Sequence, residues 1–231
     1  MAVQSYLPVL LVAPALVAAA ACTDFASPAE LTKPTILAVT ADPPIVAPGA
    51  QAQLAVAVAD GEGVIEGLTA RWSLISTYSG VPPMGTIAGS TYTAPDPVPA
   101  LPPNAPPVDS VRLEVDTGTT TLVAVKVMPV VAVEGAANPV IAAVKVGDAD
   151  GLAGPVTVAR NASVALEVTT EPAAGDDAKF AWYSSAGEIE KFQSNPTTLV
   201  ADDEARDGWL FVVVRDGKGG VAWRGVEVIV E

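Results

Sequence analysis

From residue 34 onward, apolar and polar positions alternate along the chain with a period of two residues. The pattern is clearest in QAQLAVAVAD, where Leu54, Val56 and Val58 share one face, and in VRLEVD at 111–116. Such alternation is typical of β-strands with one buried face. Clusters of Gly, Pro and Asp separate these runs at spacings of roughly 8 to 12 residues, as in an all-β sandwich. No segment has a convincing amphipathic-helix pattern, so the predicted fold class is all-β.

The two halves of the chain resemble each other at an offset of about 105 residues. Trp72 in TARWS matches Trp182 in KFAWY, and Gly85 and Ile87 match Gly187 and Ile189. The other matched segments are PTILAV with PVIAAV, QLAVAV with SVALEV, VRLEVDTG with WLFVVVRDG, and TLVAVKVMPV with VAWRGVEVIVE. We therefore expect two tandem domains, at 34–130 and 138–231.

The repeated unit resembles an immunoglobulin-like (Ig-like) β-sandwich, in which one tryptophan of the third strand fills the core. The sequence G-x-I, then TYTAP, and a last hairpin VVVRDGKGGVAW also resemble the PKD-like and other bacterial Ig-like domains that recur on surface lipoproteins. The resemblance covers about 200 residues and implies two sandwiches without a disulfide, because the chain has one cysteine. It implies little about function, since this fold hosts many roles.

The aromatic residues separate two hypotheses about function. Trp72 and Trp182 are predicted to fill the cores, because their neighbours alternate as buried strands do. Trp209 and Trp223 flank the last hairpin, and Tyr183 follows Trp182. If these three side chains are exposed on one face, they favour stacking on a polysaccharide; if they are buried, they do not.

Proline determines two connecting segments. PDPVPALPPNAPP at 95–107 is predicted to be a loop, because so many prolines cannot occupy a central strand. PVVAVEGAANP, from Pro129 to Pro139, is a short linker that we expect to be stiff, so that the two sandwiches form an extended rod.

The N-terminal segment carries an export signal. LPVLLVAPALVAAAA at 7–21 is uncharged, too short to span a bilayer, and of the length of a secretory signal. Residues 19–22, AAAC, resemble the lipobox of bacterial lipoproteins, which implies a signal peptide at 1–21 and diacylglycerol and palmitate on Cys22. Thr23 favours the outer membrane by the same resemblance. The alternative is an ordinary A-x-A cleavage that leaves Cys22 as a free thiol. Residues 22–33 are predicted to be a flexible stem.

The composition excludes several function classes. The net charge is −14, with 26 acidic and 12 basic residues, so phosphate backbones are repelled and no nucleic-acid partner is expected. The absence of histidine removes the usual general base and zinc ligand. We therefore predict that the protein is not an enzyme and has no required cofactor.

Calcium is the one ion that the sequence suggests. GDADG contains Asp148 and Asp150, and the Ig-like strand order would bring them near Asp202 and Asp203. These residues form a weak calcium site if they converge, and a solvated acidic surface if they do not.

The function predicted from the sequence is a membrane-anchored, non-catalytic surface lipoprotein that acts as a structural, adhesive or assembly module. The alternative is a carbohydrate- or polymer-binding accessory module on the cell surface. Its partners are then the membrane, through the lipid, and a protein or polysaccharide.

Overall fold

The computed structural model describes residues 27–133 and 135–231, and within them the chain forms seventeen β-strands. The first half contains β1 (Thr35–Asp42), β2 (Gln51–Asp60), β3 (Gly63–Val64), β4 (Thr69–Ile75), β5 (Thr86–Ala88), β6 (Thr91–Thr93), β7 (Val108–Asp116) and β8 (Thr121–Pro129). The second half contains β9 (Val140–Val146), β10 (Ala149–Asp150), β11 (Val156–Val158), β12 (Ser163–Glu171), β13 (Lys179–Ser184), β14 (Gly187–Ile189), β15 (Thr197–Ala201), β16 (Arg206–Arg215) and β17 (Val221–Val230).

The first sandwich has the strand order β1-β2-β6-β5 in one sheet, with β3 paired to β2, and β4-β7-β8 in the other. Leu54 and Tyr92 from the first sheet share a core with Val111 and Met128 from the second. Without the short β3, this sandwich has seven strands. The first, second, fifth and fourth of them form one sheet and the third, sixth and seventh form the other, which is the Ig-like topology. The predicted fold class is therefore confirmed.

The second sandwich repeats this order. Its sheets are β10-β9-β12-β15-β14 and β11-β17-β16-β13, in which β11 pairs with β17 in parallel. Every segment matched in the sequence occupies the same place in both sandwiches: β1 with β9, β2 with β12, β4 with β13, β5 with β14, β7 with β16, and β8 with β17. The internal repeat of sequence is thus a repeat of structure.

The two core tryptophans are not equally buried. Trp182 is completely buried, and its indole Nε1 donates a hydrogen bond to the carbonyl of Ser194 at 2.9 Å, so its polar atom is also satisfied. Trp72 packs against the core of the first sandwich but stays partly exposed. The prediction that both fill cores is confirmed, with Trp182 as the more enclosed of the two.

The last hairpin turns where the sequence predicts. Gly217 has φ = 76°, a conformation that glycine adopts without steric cost. The Asp216 carboxylate accepts hydrogen bonds from the backbone N–H groups of Lys218 and Gly220, at 2.7 and 2.8 Å. The stretch DGKGG is therefore a turn held by its own aspartate. The proline-rich 95–107 lies in the loop between β6 and β7, also as predicted.

The described end of the predicted stem is packed against the second sandwich. Ala29 and Leu31 are buried, and the Leu31 N–H donates to the carbonyl of Ser184 while the Ser184 N–H donates to the carbonyl of Ala29. The sequence suggested flexibility because 22–33 is polar and carries the first charges of the chain. The small and apolar side chains within it find a buried surface in the tertiary structure, so 27–33 does not form a free stem.

The two sandwiches lie side by side and do not form the extended rod expected from the linker. One buried cluster combines Leu37, Ala57 and Ala59 of the first sandwich with Phe211 and Val213 of the second. Alanines at alternate positions of β2 let the second sandwich approach closely, so residues 57–59 are buried on both faces of the strand. Burial of this apolar surface outweighs the preference of a short linker for an extended arrangement.

Candidate functional site

An aromatic stack lies at the centre of the interface between the sandwiches. The rings of Trp209 and Phe211 are stacked with centroids 5.7 Å apart, and Trp223 lies 6.5 Å from Phe211 in a tilted arrangement. Gly225 lies opposite Phe211, and a Cβ there would be 2.7 Å from the phenyl ring. Gly63 of the first sandwich, with φ = 123°, approaches the Trp209 indole so closely that a Cβ would be 2.9 Å from Nε1.

These contacts bear on whether the three aromatic side chains are exposed together on one face, as polysaccharide stacking would require. Tyr183, Trp209 and Trp223 lie on one face of the β13–β16–β17 sheet, but all three are partly buried and pack against the interface cluster. The first sandwich thus covers the face that a polysaccharide would need. The condition that favoured the carbohydrate hypothesis is not met.

Polar groups fix the register of the interface. The Ser185 hydroxyl donates to the carbonyl of Gly61 at 2.9 Å and accepts the N–H of Trp209 at 3.0 Å. In the linker, the Asn138 side-chain amide donates to the carbonyl of Ala41 at 2.8 Å, and its oxygen accepts the N–H of Val221 at 2.9 Å. One linker residue therefore bonds both sandwiches, which restricts their relative rotation.

A lysine adds a further link between the sandwiches. Lys126 of β8 is buried, and its ammonium group donates to the carbonyl of Gly219 in the last hairpin. Burial is the main cause that lowers the pKa of Lys126; the Asp216 carboxylate opposes this shift, and Arg215 adds to it. Burial therefore disfavours the charged form of this side chain, and the hydrogen bond to Gly219 satisfies its amine.

The sequence contained a signal for this interface. Strand β16 includes the run WLFVVV, and all residues from Leu210 to Val214 are buried. A strand that is apolar on both faces is typical of a sheet that is covered on both sides. An isolated sandwich covers only one face, so this run predicts a second covering layer.

A buried carboxylate in the first sandwich was missed by the sequence reasoning. Asp109 is 1% exposed and accepts hydrogen bonds from the N–H groups of Met84 and Gly85, at 2.9 and 2.7 Å, and from the Tyr92 hydroxyl at 2.8 Å. Burial, then the hydrogen bond to Asp109 and its charge, raise the pKa of Tyr92. Three donors satisfy the carboxylate, which ties the segment before β5 to β7. An acid at a core-facing position of β7 was the available signal.

The predicted calcium ligands do not form a metal site. The Asp150 carboxylate accepts the N–H of Leu152 at 2.9 Å, and Asp202 pairs with Arg206 at 3.0 Å. Asp148 and Asp150 lie at the hairpin in which β10 folds back on β9, and Asp203 follows β15. Within 27–133 and 135–231, no group of three or more acidic, His or Cys side chains is arranged to hold a metal ion. Asp148, Asp150, Asp202 and Asp203 therefore do not form such a group in this part of the chain.

The predicted anchor cannot be compared with the structure. Residues 1–21 and Cys22 lie outside the described residues, so the signal peptide and the acylation of Cys22 stay predictions. Across the part of the chain that is described, there is no helix with the length and apolar character needed to cross a membrane.

The outer edge of β8 is the most unusual surface of the molecule. Val123, Val125 and Val127 are 52%, 53% and 49% exposed, although valine is among the residue types most often buried. Among the described residues, β8 is the last strand of its sheet; it pairs with β7, and beyond that its end bonds to Val46. An exposed, apolar, unpaired edge is a template for another strand, which proteins usually protect.

A groove of about 530 Å³ runs along this edge. Its walls are β1, β8 and the last hairpin of the second sandwich. Three cationic side chains, Lys126, Lys179 and Arg215, line it, and no Asp or Glu does so among the described residues. In a chain of net charge −14, this groove is a local basic region.

A second cavity, of about 610 Å³, lies where the described chain begins. Ser27, Glu30, Glu188, Asp202 and Arg206 are among the residues that line it. Its polar groups include the Asp202–Arg206 ion pair already described. This cavity combines charges of both signs, so it defines no ligand chemistry of its own.

No family model and no curated protein sequence matches the chain. Solved structures of tandem Ig modules resemble it in part. The N-terminal Ig1-2 module of the Drosophila receptor protein tyrosine phosphatase DLAR is 12% identical, with 86% of this chain and 98% of that chain covered and a TM-score of 0.31. The surface layer protein SbsC, domains 4–9, is 17% identical; 87% of this chain and 31% of that chain are covered, with a TM-score of 0.26. At these values the likenesses carry no argument about function, and the Ig-like assignment rests on the strand order.

Proposed function

We propose that this protein is a membrane-anchored, non-catalytic surface lipoprotein that acts as a structural, adhesive or assembly module of the bacterial envelope. Residues 1–21 direct export, Cys22 carries the lipid, and the anchor is in the outer membrane. The observation that carries the proposal is the buried interface between two Ig-like sandwiches, with Phe211 completely buried at its centre.

The interface supports a presenting role through its rigidity. Domains of one chain move relative to each other unless their interface is large and hydrophobic. Here an aromatic stack, the Asn138 bridge and the Ser185–Gly61 hydrogen bond hold the two sandwiches together. A body of this kind keeps a surface in a fixed orientation, which suits adhesion or assembly better than chemistry within a cleft.

The carbohydrate-binding alternative loses its support. It required Trp209, Trp223 and Tyr183 to be exposed together, and these side chains pack into the interface. A protein partner is therefore preferred over a polysaccharide.

Acylation is tested with the full chain in a Gram-negative host. We expect a clickable palmitate analogue to label the protein and the labelled protein to enter the detergent phase, because stable anchoring needs at least two membrane signals and lipobox processing supplies more than one acyl chain. Cys22→Ser is the matched variant, since it keeps the size of the side chain and removes the thiol. Equal labelling of the two proteins would overturn the anchor.

Rigidity is tested by thermal unfolding of the same full chain in mild detergent. We expect one transition, and we expect Phe211→Ala to separate it into two, because removal of a buried phenyl ring leaves a cavity. Val123→Ala, on the exposed edge, is the control and should leave one transition. Two transitions in the unaltered chain would contradict the rigid pair.

A further inference from the structure

We propose that the edge of β8 binds an extended acidic peptide of a partner protein, which adds a strand to the β4–β7–β8 sheet. The inference rests on the proposed function as an adhesive or assembly module and names the surface and the chemistry of its partner.

Within 27–133 and 135–231, no backbone group pairs with the outward N–H and C=O groups of the three valines of β8. The Thr117 N–H donates to the carbonyl of Thr120 at 3.0 Å, which closes the β7–β8 hairpin. In an antiparallel ladder, residues alternate between those that bond across the pair and those whose N–H and C=O point away. With Asp116 opposite Thr121, the register makes Val123, Val125 and Val127 point away from β7.

Pro129, two residues after Val127, confirms that these alternate residues point away from β7. Its carbonyl accepts the N–H of Val46 at 3.0 Å. Val46 and Val130 form a single parallel bridge at this end of the strand. The edge is thus already paired at one point, and the free groups from Val123 to Val127 continue from it.

The second sandwich shows what this edge can hold. There β11 (Val156–Val158) pairs in parallel with Val228–Val230 of β17, the counterparts of residues 128–130, where Val46 makes its single parallel bridge in the first sandwich. A guest strand beside Val123–Val127 would continue this edge pairing along β8. The five residues from Val123 to Val127 span about 14 Å at a rise of about 3.4 Å each, so five residues of a peptide can pair with them.

The positive charge of the groove favours an acidic peptide as the added strand. Lys126, Lys179 and Arg215 line it, while Asp216, the acid that acts on Lys126, is occupied by the N–H groups of Lys218 and Gly220. Carboxylates on one face of a guest strand would meet these cations, and its other face would contact the valines, since side chains alternate along a strand. A second copy of this chain fits less well, because each copy carries a charge of −14.

The test uses the full chain in mild detergent and a fluorescent peptide of about twelve residues, long enough to cover the edge, in which Glu alternates with Val and Thr. We expect fluorescence anisotropy to report saturable binding that weakens as salt is added. A peptide with Lys in place of Glu, and one with N-methyl groups on alternate backbone nitrogens, should not bind.

Two variants of Val125 isolate the backbone. Val125→Pro removes the outward N–H but leaves the ladder to β7, and it should weaken peptide binding by about tenfold or more, the equivalent of roughly one hydrogen bond. Val125→Thr keeps the N–H and the branched shape and should bind like the original chain. Circular dichroism and thermal unfolding establish that both are folded, and Lys179→Glu, away from β8, should also weaken binding.

Binding that depends on Glu, on free peptide N–H groups and on Val125 supports the proposal. It is overturned if none of the peptides binds, if all bind alike, or if the chain forms dimers that Val125→Pro abolishes, which would assign the edge to a second copy. Palmitate labelling at Cys22 is measured independently, so failure of the docking surface can be distinguished from failure of the anchor.

Discussion

The strands β8 and β17 hold the same position in the two sandwiches but differ at their outer edges. β17 is bordered by β11 at Val228–Val230, and Trp223, Gly225 and Glu227, the counterparts of Val123, Val125 and Val127, are partly buried. β8 has one bridge at its end, and Val123, Val125 and Val127 are about half exposed. One fold thus gives an edge bordered by a strand in one copy and by a single bridge in the other.

Proline explains this difference. In the first sandwich, the segment after β1 reads DPPIVAPG, so Pro43, Pro44 and Pro48 leave few N–H groups for a ladder, and only Val46 pairs with the last strand. The corresponding segment of the second sandwich contains VTV at 156–158, which forms β11. A few local substitutions therefore determine whether an edge is used within the chain or left for a partner.

The two sandwiches also differ in how the segment before the fourth strand is joined to the sixth strand. These strands are β5 and β7 in the first sandwich and β14 and β16 in the second. Trp72 pairs with Leu113 in the first sandwich, and Trp182 pairs with Val212 in the second. Asp109 lies four residues before Leu113 and Gly208 lies four residues before Val212, so the two positions are equivalent. Asp109 binds the backbone at Met84 and Gly85, whereas Gly208 lies so near Ala186 that a Cβ would be 2.9 Å from the alanine methyl. The same junction is joined by hydrogen bonds in one copy and by close packing in the other.

The largest effect should come from the core tryptophans. Trp182→Ala should lower the free energy of unfolding by about 3 to 5 kcal/mol, because it leaves a large cavity in a closed core. Trp72→Ala should cost less, since that side chain is partly exposed. Urea titration of both variants measures the difference, and equal losses would mean that the two cores are equally enclosed.

Tyr92→Phe should lower the stability by about 1.5 to 3 kcal/mol, because it removes a hydrogen bond to a buried carboxylate. The raised pKa of Tyr92 means that its contribution is complete below about pH 10, the pKa in the unfolded chain, and is lost as the pH rises further. Urea titrations between neutral and alkaline pH should therefore give a steeper decline for the original chain than for Tyr92→Phe.

Tyr183→Phe is the control for this prediction. Its hydroxyl makes no hydrogen bond within the described residues, so the substitution should leave both the stability and its alkaline decline nearly unchanged. If Tyr183→Phe alters the alkaline decline as much as Tyr92→Phe does, the Asp109 contact is not its source.

One substitution compares the core face of β17 with the outer face of β8. Val228→Thr on β17 should cost about 1 to 3 kcal/mol, because it buries a hydroxyl in an apolar core. Val125→Thr on β8 should change the stability by less than about 0.5 kcal/mol, since the position is exposed. Thermal unfolding measures both, and a large effect at Val125 would mean that this face of β8 is covered.

The smallest effect concerns the acidic end of the second sandwich. Because Asp202 is paired with Arg206 and Asp150 caps its own turn, calcium at about 1 mM should not raise the melting temperature more than magnesium does. Differential scanning fluorimetry measures the shift. A rise specific to calcium would restore the site suggested by GDADG.

Particular segments show how far the sequence could be interpreted. The alternation in QAQLAVAVAD predicted β2, and the repeated tryptophan predicted the third strand of each sandwich, because both signals depend on local periodicity. The Asp109–Tyr92 pair was missed, since its donors come from residues 17 to 25 positions apart. Asp148 and Asp202 were expected to meet on strand order alone, but among the described residues they are not part of any group that could hold a metal ion.

The sequence by itself determined the all-β class, the tandem repeat and the turn at Gly217, because these follow from side-chain alternation and from the backbone freedom of glycine. Only the tertiary structure decided that Phe211, Trp209 and Trp223 lie between the sandwiches and that β8 keeps an open edge. Alternation assigns residues to the faces of a strand, but whether a face or an edge is covered depends on the surface of another domain. The run WLFVVV indicates that β16 is covered on both faces, but which surface covers it is decided by non-local burial of apolar area.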